Sequence, residues 1–157
     1  MDPLGRARMV DVTPKESSHR RALARCRVSM QPETTQQVAS NAITKGDVLG
    51  VARIAGIQAA KRTSDLLPLC HPLLVGSVYV NFTIGDDHVD VEAQVETVDR
   101  TGVEMEALTA CAVAALTIYD MCKALSHDIE IKGVRLLAKS GGKRSYQRAA
   151  ARKGTRA

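Results

Sequence analysis

The clearest pattern in the chain is an alternation of apolar and polar residues between positions 78 and 96. Residues 78–84 and residues 89–96 each alternate in this way, as strands with one buried face do. The segment between them, residues 85–88, has the composition of a turn. The pattern therefore predicts an antiparallel hairpin that buries one face.

Residues 47–62 have helical periodicity, with apolar side chains on one face. Two glycines, Gly50 and Gly56, lie inside this predicted helix. Each costs about 1 kcal/mol of helix propensity relative to alanine. We therefore expect the backbone of this helix to pack closely against a neighbouring element.

A longer helix is predicted over residues 101–125. Thr101 and Glu104 have the spacing of a capping box, in which the threonine caps the helix and the glutamate bonds back to the cap amide. Residues 107–119 contain no charged side chain, so we expect this part of the helix to be buried on every side. In a domain of this size, such burial suggests a subunit interface.

Shorter segments complete the prediction. Residues 9–12 and 27–30 are expected to be extended, and residues 129–138 to form a further strand. Residues 32–43 are expected to form a short helix that begins near Pro32. Together with the hairpin, these elements predict an α+β fold with one antiparallel sheet and helices packed on one side.

Charge is distributed unevenly over the 157 residues, whose net charge is +5. Residues 1–27 carry a net charge of +4 and residues 143–157 one of +6, whereas the part between them is acidic. A basic tail can bind a polyanion, but a solvated tail explains the same charge without a ligand. We therefore expect one folded domain over residues 9–143, flanked by disordered segments at residues 1–8 and 144–157.

Localisation is predicted from what the sequence contains. The N-terminal residues do not resemble a signal peptide, and residues 107–119 are too short to span a bilayer. The cysteines lack the spacing of a zinc site and fit a reducing compartment; they are Cys26, Cys70, Cys111 and Cys122. These features predict a cytoplasmic protein without a bound metal or a membrane contact.

Asp120 and Lys123 form the first candidate for chemistry. They are three residues apart on one predicted helix face, where a surface ion pair is the simpler interpretation. The apolar turns before them suggest instead that the pair is partly buried. A lysine in such a place can lose its proton readily and act as a general acid or base.

Two loops are further candidates. His71 precedes Pro72, which favours an extended backbone, so this histidine suits either a binding group or an ordinary loop residue. A nucleophilic pair of Cys70 with His71 is disfavoured, because neighbours in an extended segment point in opposite directions. Residues 139–143 contain two glycines and two lysines, which suit either a phosphate site or a flexible exit to the tail.

Acidic residues also begin the long predicted helix, where they suit the helix dipole. The capping box explains Glu104, whereas Glu106 faces another way and has no such explanation. Lys45 is a further basic residue, of a kind that usually lies on the surface.

Several strings of this sequence, in this order, resemble the MoaC family. The resemblance extends from Met9 to about Lys143. The strings are Lys45-Gly-Asp-Val48, Ala52-Arg-Ile-Ala-Gly-Ile-Gln-Ala-Ala-Lys-Arg-Thr63, Pro68-Leu-Cys-His-Pro-Leu73, Thr101-Gly-Val-Glu-Met-Glu-Ala-Leu-Thr109, Ala114-Ala-Leu-Thr-Ile-Tyr-Asp-Met-Cys-Lys123 and Arg135-Leu-Leu-Ala-Lys-Ser-Gly-Gly-Lys143.

The resemblance implies a ferredoxin-like fold, a homohexamer built as a trimer of dimers, and no cofactor. It implies a lyase that converts the cyclic dihydroguanosine triphosphate made from GTP into cyclic pyranopterin monophosphate, with release of pyrophosphate, in molybdenum cofactor biosynthesis. By match, Asp120 and Lys123 carry the catalytic roles. The positions that match substrate-binding residues are Leu69, Cys70, His71, Met105, Glu106, Glu104, Lys45, Lys139 and Arg20.

The spacing of two of these residues predicts where the site is built. Glu106 and Asp120 are about 21 Å apart along one straight helix, so they cannot both reach the reacting end of one small nucleotide. We therefore predict sites between subunits, with Asp120 and Lys123 from one chain and Glu106 and His71 from another.

The competing interpretation of the basic ends is a non-enzymatic module that binds nucleotides or RNA. Aromatic residues are only 3% of the chain, whereas proteins that bind single strands rely on stacking aromatics. We therefore expect no nucleic-acid partner. An inactive scaffold is also disfavoured, because the matched polar positions are intact. Ser64 departs from the family, which often has a bulky aromatic residue there.

Overall fold

The computed structural model describes residues 3–149, and in this part a five-stranded sheet is accompanied by four helices. In chain order the elements are β1 (Ser18–Ser29), α1 (Pro32–Ala39), α2 (Val48–Lys61), α3 (Thr63–Leu66), β2 (Ser77–Ile84), β3 (His88–Asp99), α4 (Glu104–Cys122), β4 (Glu130–Ser140) and β5 (Tyr146–Gln147). The strand order is β2-β3-β1-β4-β5, and all neighbouring strands are antiparallel. This arrangement confirms the predicted α+β fold of the ferredoxin-like type.

The core lies between one face of the sheet and the helices α2 and α4. On β1, the buried residues that face this core are small, and Cys26 Sγ lies 3.2 Å from Cys111 Sγ on α4. Gly56 lets α2 approach α4, because a Cβ there would lie 3.0 Å from the carbonyl oxygen of Ala110. The expectation of close packing is therefore confirmed for Gly56. A Cβ on Gly50 would instead meet the side chain of Asp47, which caps the same helix.

The strands agree with the sequence patterns to different degrees. The hairpin is confirmed, since β2 and β3 pair from Ser77↔Glu96 to Ile84↔Val89. Residues 9–12, which were expected to be extended, pair with no strand of the described sheet. β1 is much longer than the predicted extended piece at residues 27–30.

Helix α4 begins at Glu104, and the predicted capping box is wrong. Its N-cap residue is Val103, and no side chain caps this end. The carboxylate of Glu104 instead accepts a hydrogen bond of 2.6 Å from Lys139 Nζ on β4. The Glu104 side chain, which the capping box would need, is therefore engaged in an ion pair with another element of the fold.

Within this chain, α4 is buried on one face only. Leu116 is exposed and Val113 partly exposed on the other face, so the prediction of burial on every side is wrong for the single chain. By length and composition alone, α4 is apolar enough to cross a membrane. Half of its most apolar window is buried inside the protein, and the core helices of soluble proteins meet the same criteria of length and composition, so this feature is weak evidence for a membrane span.

The chain continues to form structure beyond residue 143, where the folded domain was predicted to end. Strand β5 pairs with β4 through Ala138↔Gln147 and Lys139↔Tyr146. The predicted disorder of residues 1–2 and 150–157 lies outside the described residues.

Candidate functional site

Asp120 lies between two lysines at the C-terminal end of α4. Its Oδ1 is 2.6 Å from Lys123 Nζ, and its Oδ2 is 3.0 Å from Lys45 Nζ. Lys45 Nζ also donates to the backbone oxygen of Asp120 at 2.9 Å. This lysine–aspartate cluster (Lys45, Asp120 and Lys123) carries more positive than negative charge, so it suits an anionic ligand.

Lys45 reaches the cluster from the loop before α2. Gly46 has a φ of +100°, which glycine adopts without strain, and its amide donates to the carbonyl of Ile43 at 2.9 Å. Asp47 then caps α2 by accepting a hydrogen bond of 2.8 Å from the Gly50 amide. The turn and the cap thus fix the backbone on both sides of Lys45.

The lysine–aspartate cluster is exposed rather than partly buried as predicted, because Asp120 and Lys123 lie on the same exposed face of the helix as Leu116, whereas Met121 and Cys122 between them face the core. The side chains of Lys123 and Asp120 are 55% and 56% exposed. The hydrogen bond from Lys123, followed by that from Lys45, lowers the pKa of Asp120. The same carboxylate raises the pKa of Lys123. Lys123 is therefore an ammonium group at neutral pH; of the two roles that the sequence left open, it suits the general acid better than the general base.

A cavity of about 430 Å³ lies at the other end of α4. The N-terminal end of α4, the loop before β2 and the irregular segment before β1 form its walls. Its lining residues are Val10, Val12, Lys15, Leu69, Cys70, His71, Leu73, Thr101, Gly102, Glu104, Met105 and Glu106. Six of the residues predicted to bind substrate therefore meet in one cavity.

Glu106 is the buried acid of this cavity, with only 4% of its surface exposed. Burial, with smaller contributions from the charges of Glu104 and Asp99, raises the pKa of Glu106 to about 7. A carboxyl group with such a pKa can both donate and accept a proton near neutral pH. Burial also raises the pKa of the neighbouring Cys70 thiol, and a thiol that keeps its proton is a poor nucleophile.

Lys139 and Arg20 flank the cavity without lining it. Lys139 Nζ is 2.6 Å from Glu104 Oε1 and so contacts a wall residue. Arg20 Nε donates to the carbonyl of Asp99 at 2.8 Å, and its Nη2 donates to the carbonyl of Arg100 at 3.1 Å. Arg20 thereby holds the loop that leads into the cavity. That these two residues contact a substrate stays a prediction.

The predicted site residues are thus divided between the two ends of α4. Glu106 lies in the cavity, whereas none of Lys45, Asp120 and Lys123 lines it. At 1.5 Å per residue, Glu106 and Asp120 are about 21 Å apart along the helix. Among residues 3–149, no group of three or more His, Cys, Asp or Glu side chains could hold a metal ion.

Lys15 is a cavity residue that the sequence analysis missed. It lies in the irregular segment before β1, where no periodicity predicts which way a side chain points. Only the tertiary structure brings this segment against the residues around His71.

The pKa of Glu106 predicts how its burial affects stability. Because the unfolded chain releases this proton near pH 4.5 and the folded protein near pH 7, stability is full below pH 4.5 and falls as the pH rises through this window. The loss amounts to about 3 kcal/mol. In urea unfolding between pH 4 and pH 8, Glu106→Gln should lack this fall, whereas the surface variant Glu33→Gln should follow the wild type. Parallel profiles for wild type and Glu106→Gln would contradict the prediction.

The fold, the lysine–aspartate cluster and the cavity around Glu106 together define an α+β domain suited to a polar, anionic small molecule. The model of the MoaC family matches residues 9–142. The cyclic pyranopterin monophosphate synthase of Roseiflexus sp. (strain RS-1) is 57% identical over 145 residues, which cover 91% of this chain and 92% of the relative. The same-named protein of Heliobacterium modesticaldum (strain ATCC 51547 / Ice1) is 54% identical over 154 residues, covering 93% and 97%. This chain belongs to the MoaC family.

Proposed function

We propose that this chain is a lyase that converts the cyclic dihydroguanosine triphosphate made from GTP into cyclic pyranopterin monophosphate and releases pyrophosphate. This is an early step of molybdenum cofactor biosynthesis. The observation that carries the proposal is the lysine–aspartate cluster, in which one carboxylate holds two ammonium groups at 2.6 and 3.0 Å. The naming of relatives that are more than half identical over nearly their whole length supports it.

The lysine–aspartate cluster provides what the phosphate chemistry requires. Closing a cyclic phosphate and expelling pyrophosphate builds up negative charge on the leaving group, and the ammonium groups of Lys45 and Lys123 can stabilise it. Lys123 is protonated and accessible, so it can also deliver a proton during the rearrangement of the base. Asp120 orients Lys123 through their hydrogen bond.

The cavity provides groups for the remainder of the substrate. Glu106 can exchange a proton near neutral pH, and His71 offers ring nitrogens to the polar edge of a guanine-derived base. Leu69 and Met105 are exposed at this cavity and can pack against the faces of the base. Lys15 adds a positive charge for a phosphate.

In this proposal each active site lies between two chains of a homohexamer that is a trimer of dimers. Exposed apolar side chains support such an assembly: Leu69 and Met105 at the cavity, Leu74 nearby in the chain, and Ile54 and Leu116 on the helices. A partner subunit that covers these surfaces would bring its own lysine–aspartate cluster to the cavity. The proposed location is the cytoplasm, in agreement with the four free cysteines.

The direct test is to incubate the purified protein with the cyclised GTP derivative and to measure pyrophosphate and the mass of the product. We expect pyrophosphate and the cyclic monophosphate in equal amounts, and none from GTP itself. If the protein released pyrophosphate from both compounds at the same rate, it would be a non-specific nucleotide pyrophosphohydrolase, and the proposal would be wrong. A wild-type protein that released none would contradict the proposal.

A further inference from the structure

A second charged cavity, of about 340 Å³, lies on the face of the sheet opposite the helices. Its charged lining residues are four cations, Arg25, Arg27, Lys132 and Arg135, and one carboxylate, Asp90. None of these residues belongs to the lysine–aspartate cluster or lines the cavity around Glu106. The proposed reaction therefore gives this group of charges no role.

A bulge between β1 and β4 places these side chains together. Arg25 pairs with Arg135, and Arg27 pairs with Lys132, so two residues of β4 stand opposite a single residue of β1. One of the two is Gly133, with a φ of +63°. A Cβ at this position would lie 2.5 Å from Nη1 of Arg135. Glycine therefore leaves the space in which the Arg135 guanidinium folds back across the bulge, where it donates to the Gly133 carbonyl at 2.8 Å.

Asp90 neutralises only part of this charge. It accepts hydrogen bonds from Arg27 Nε at 2.7 Å, Arg27 Nη2 at 2.9 Å and Arg25 Nη2 at 2.5 Å. Both carboxylate oxygens are thus engaged, and the hydrogen bonds from Arg27 lower the pKa of Asp90 to about 2. Asp90 is therefore a permanent anion that holds two arginines in fixed orientations.

The remaining cations keep donors that can bind a ligand. The exposed Glu130 pairs with Lys132 at 2.8 Å, and Glu92 lies 3.7 Å from Arg25. Such exposed pairs are weak, and a ligand with more charge can displace them. Within residues 3–149, no carboxylate oxygen lies within 4.0 Å of the Arg135 guanidinium.

We propose that this cavity binds an anion of the phosphate class through the guanidinium groups of Arg135 and Arg25 and the ammonium group of Lys132. Planar guanidinium groups match the oxygen geometry of phosphates and bind them with two parallel hydrogen bonds. Inorganic pyrophosphate and the diphosphate end of a nucleoside triphosphate share this chemistry, so both serve as probes.

The test uses the full-length protein with Lys45→Ala and Lys123→Ala, which removes the cations of the lysine–aspartate cluster. Pyrophosphate and, separately, GTP are titrated calorimetrically at low salt, where charge interactions are least screened. Adding Arg135→Gln should raise the Kd at least about tenfold, since a hydrogen bond to a charged group contributes that much. Because Lys132 is exposed, Lys132→Gln should leave the fold intact. This variant should raise the Kd severalfold. The charge-matched control Lys61→Gln, at the end of α2, should leave it unchanged.

Asp90→Asn should have the opposite effect on binding. Removing the carboxylate frees Arg25 and Arg27 for the ligand, so we expect a lower Kd.

Binding of pyrophosphate alone would assign the site to the free anion, and binding of GTP as well would assign it to a diphosphate group in general. Equal Kd values for Lys132→Gln and Lys61→Gln, or no binding at millimolar pyrophosphate, would overturn the proposal. In a protein whose lysine–aspartate cluster is intact, Arg135→Gln should retain turnover of the cyclised GTP derivative. Failure of this inference is therefore distinguishable from failure of the proposed function.

Discussion

Lys123→Ala should lower kcat by at least about 100-fold while leaving the protein folded. The ammonium group contacts Asp120 at 2.6 Å, and the side chain is more than half exposed, so it has little part in packing. The loss would therefore come from proton transfer and charge stabilisation. Turnover of the cyclised GTP derivative measures the effect, and circular dichroism checks the fold. Comparable turnover by the variant would remove Lys123 from the mechanism.

Two further variants separate these contributions. Lys123→Arg keeps the positive charge but does not release a proton near neutral pH, so it should remain as impaired as Lys123→Ala if proton transfer dominates. Substantial activity in Lys123→Arg would instead assign Lys123 an electrostatic role. Lys61→Ala, an exposed lysine on α2, is the matched control and should retain activity.

The alternation of apolar and polar residues predicted the hairpin of β2 and β3 but not most of β1. The side chains of β2 and β3 that face the core are largely β-branched, so their period is visible in the sequence. On β1 the buried positions are Ala22, Ala24, Cys26 and Val28, and Arg25 and Arg27 occupy positions between them. Small side chains and long cations do not produce the apolar pattern of a strand, although here the arginines face carboxylates of β3 across the sheet.

Motifs in the sequence supplied the candidate site residues, but they did not predict how the fold groups them. Glu104 has the spacing of a helix cap, and only the fold brings Lys139 to within 2.6 Å of it. Lys45 contacts Asp120 although the two are 75 residues apart. The exposure of Lys123 was also mispredicted, because the apolar Leu116 hides the fact that this face of α4 points away from the core. Such contacts depend on the packing of whole elements, which no local pattern contains.

A site shared between subunits makes a sharp prediction about mixed assemblies. The cavity around Glu106 and the lysine–aspartate cluster lie at opposite ends of α4, about 21 Å apart along a straight helix. One chain therefore cannot bring Asp120 and Glu106 to the same reacting atoms. Two chains can do so if the C-terminal end of α4 in one subunit approaches the cavity of its partner.

Asp120→Ala and Glu106→Ala should each be nearly inactive alone, and co-assembled in equal amounts they should regain activity. If subunits mix randomly, about one quarter of the sites combine an intact Asp120 with an intact Glu106, so about one quarter of wild-type turnover is expected.

Asp120→Ala mixed with Lys123→Ala is the matched control. Both changes affect the same half of the site, so no combination restores it, and activity should stay at the parental level. Native mass spectrometry establishes that the chains have mixed. If verified mixed assemblies of Asp120→Ala and Glu106→Ala were as inactive as the control, each chain would have to hold a complete site, which the length of α4 opposes.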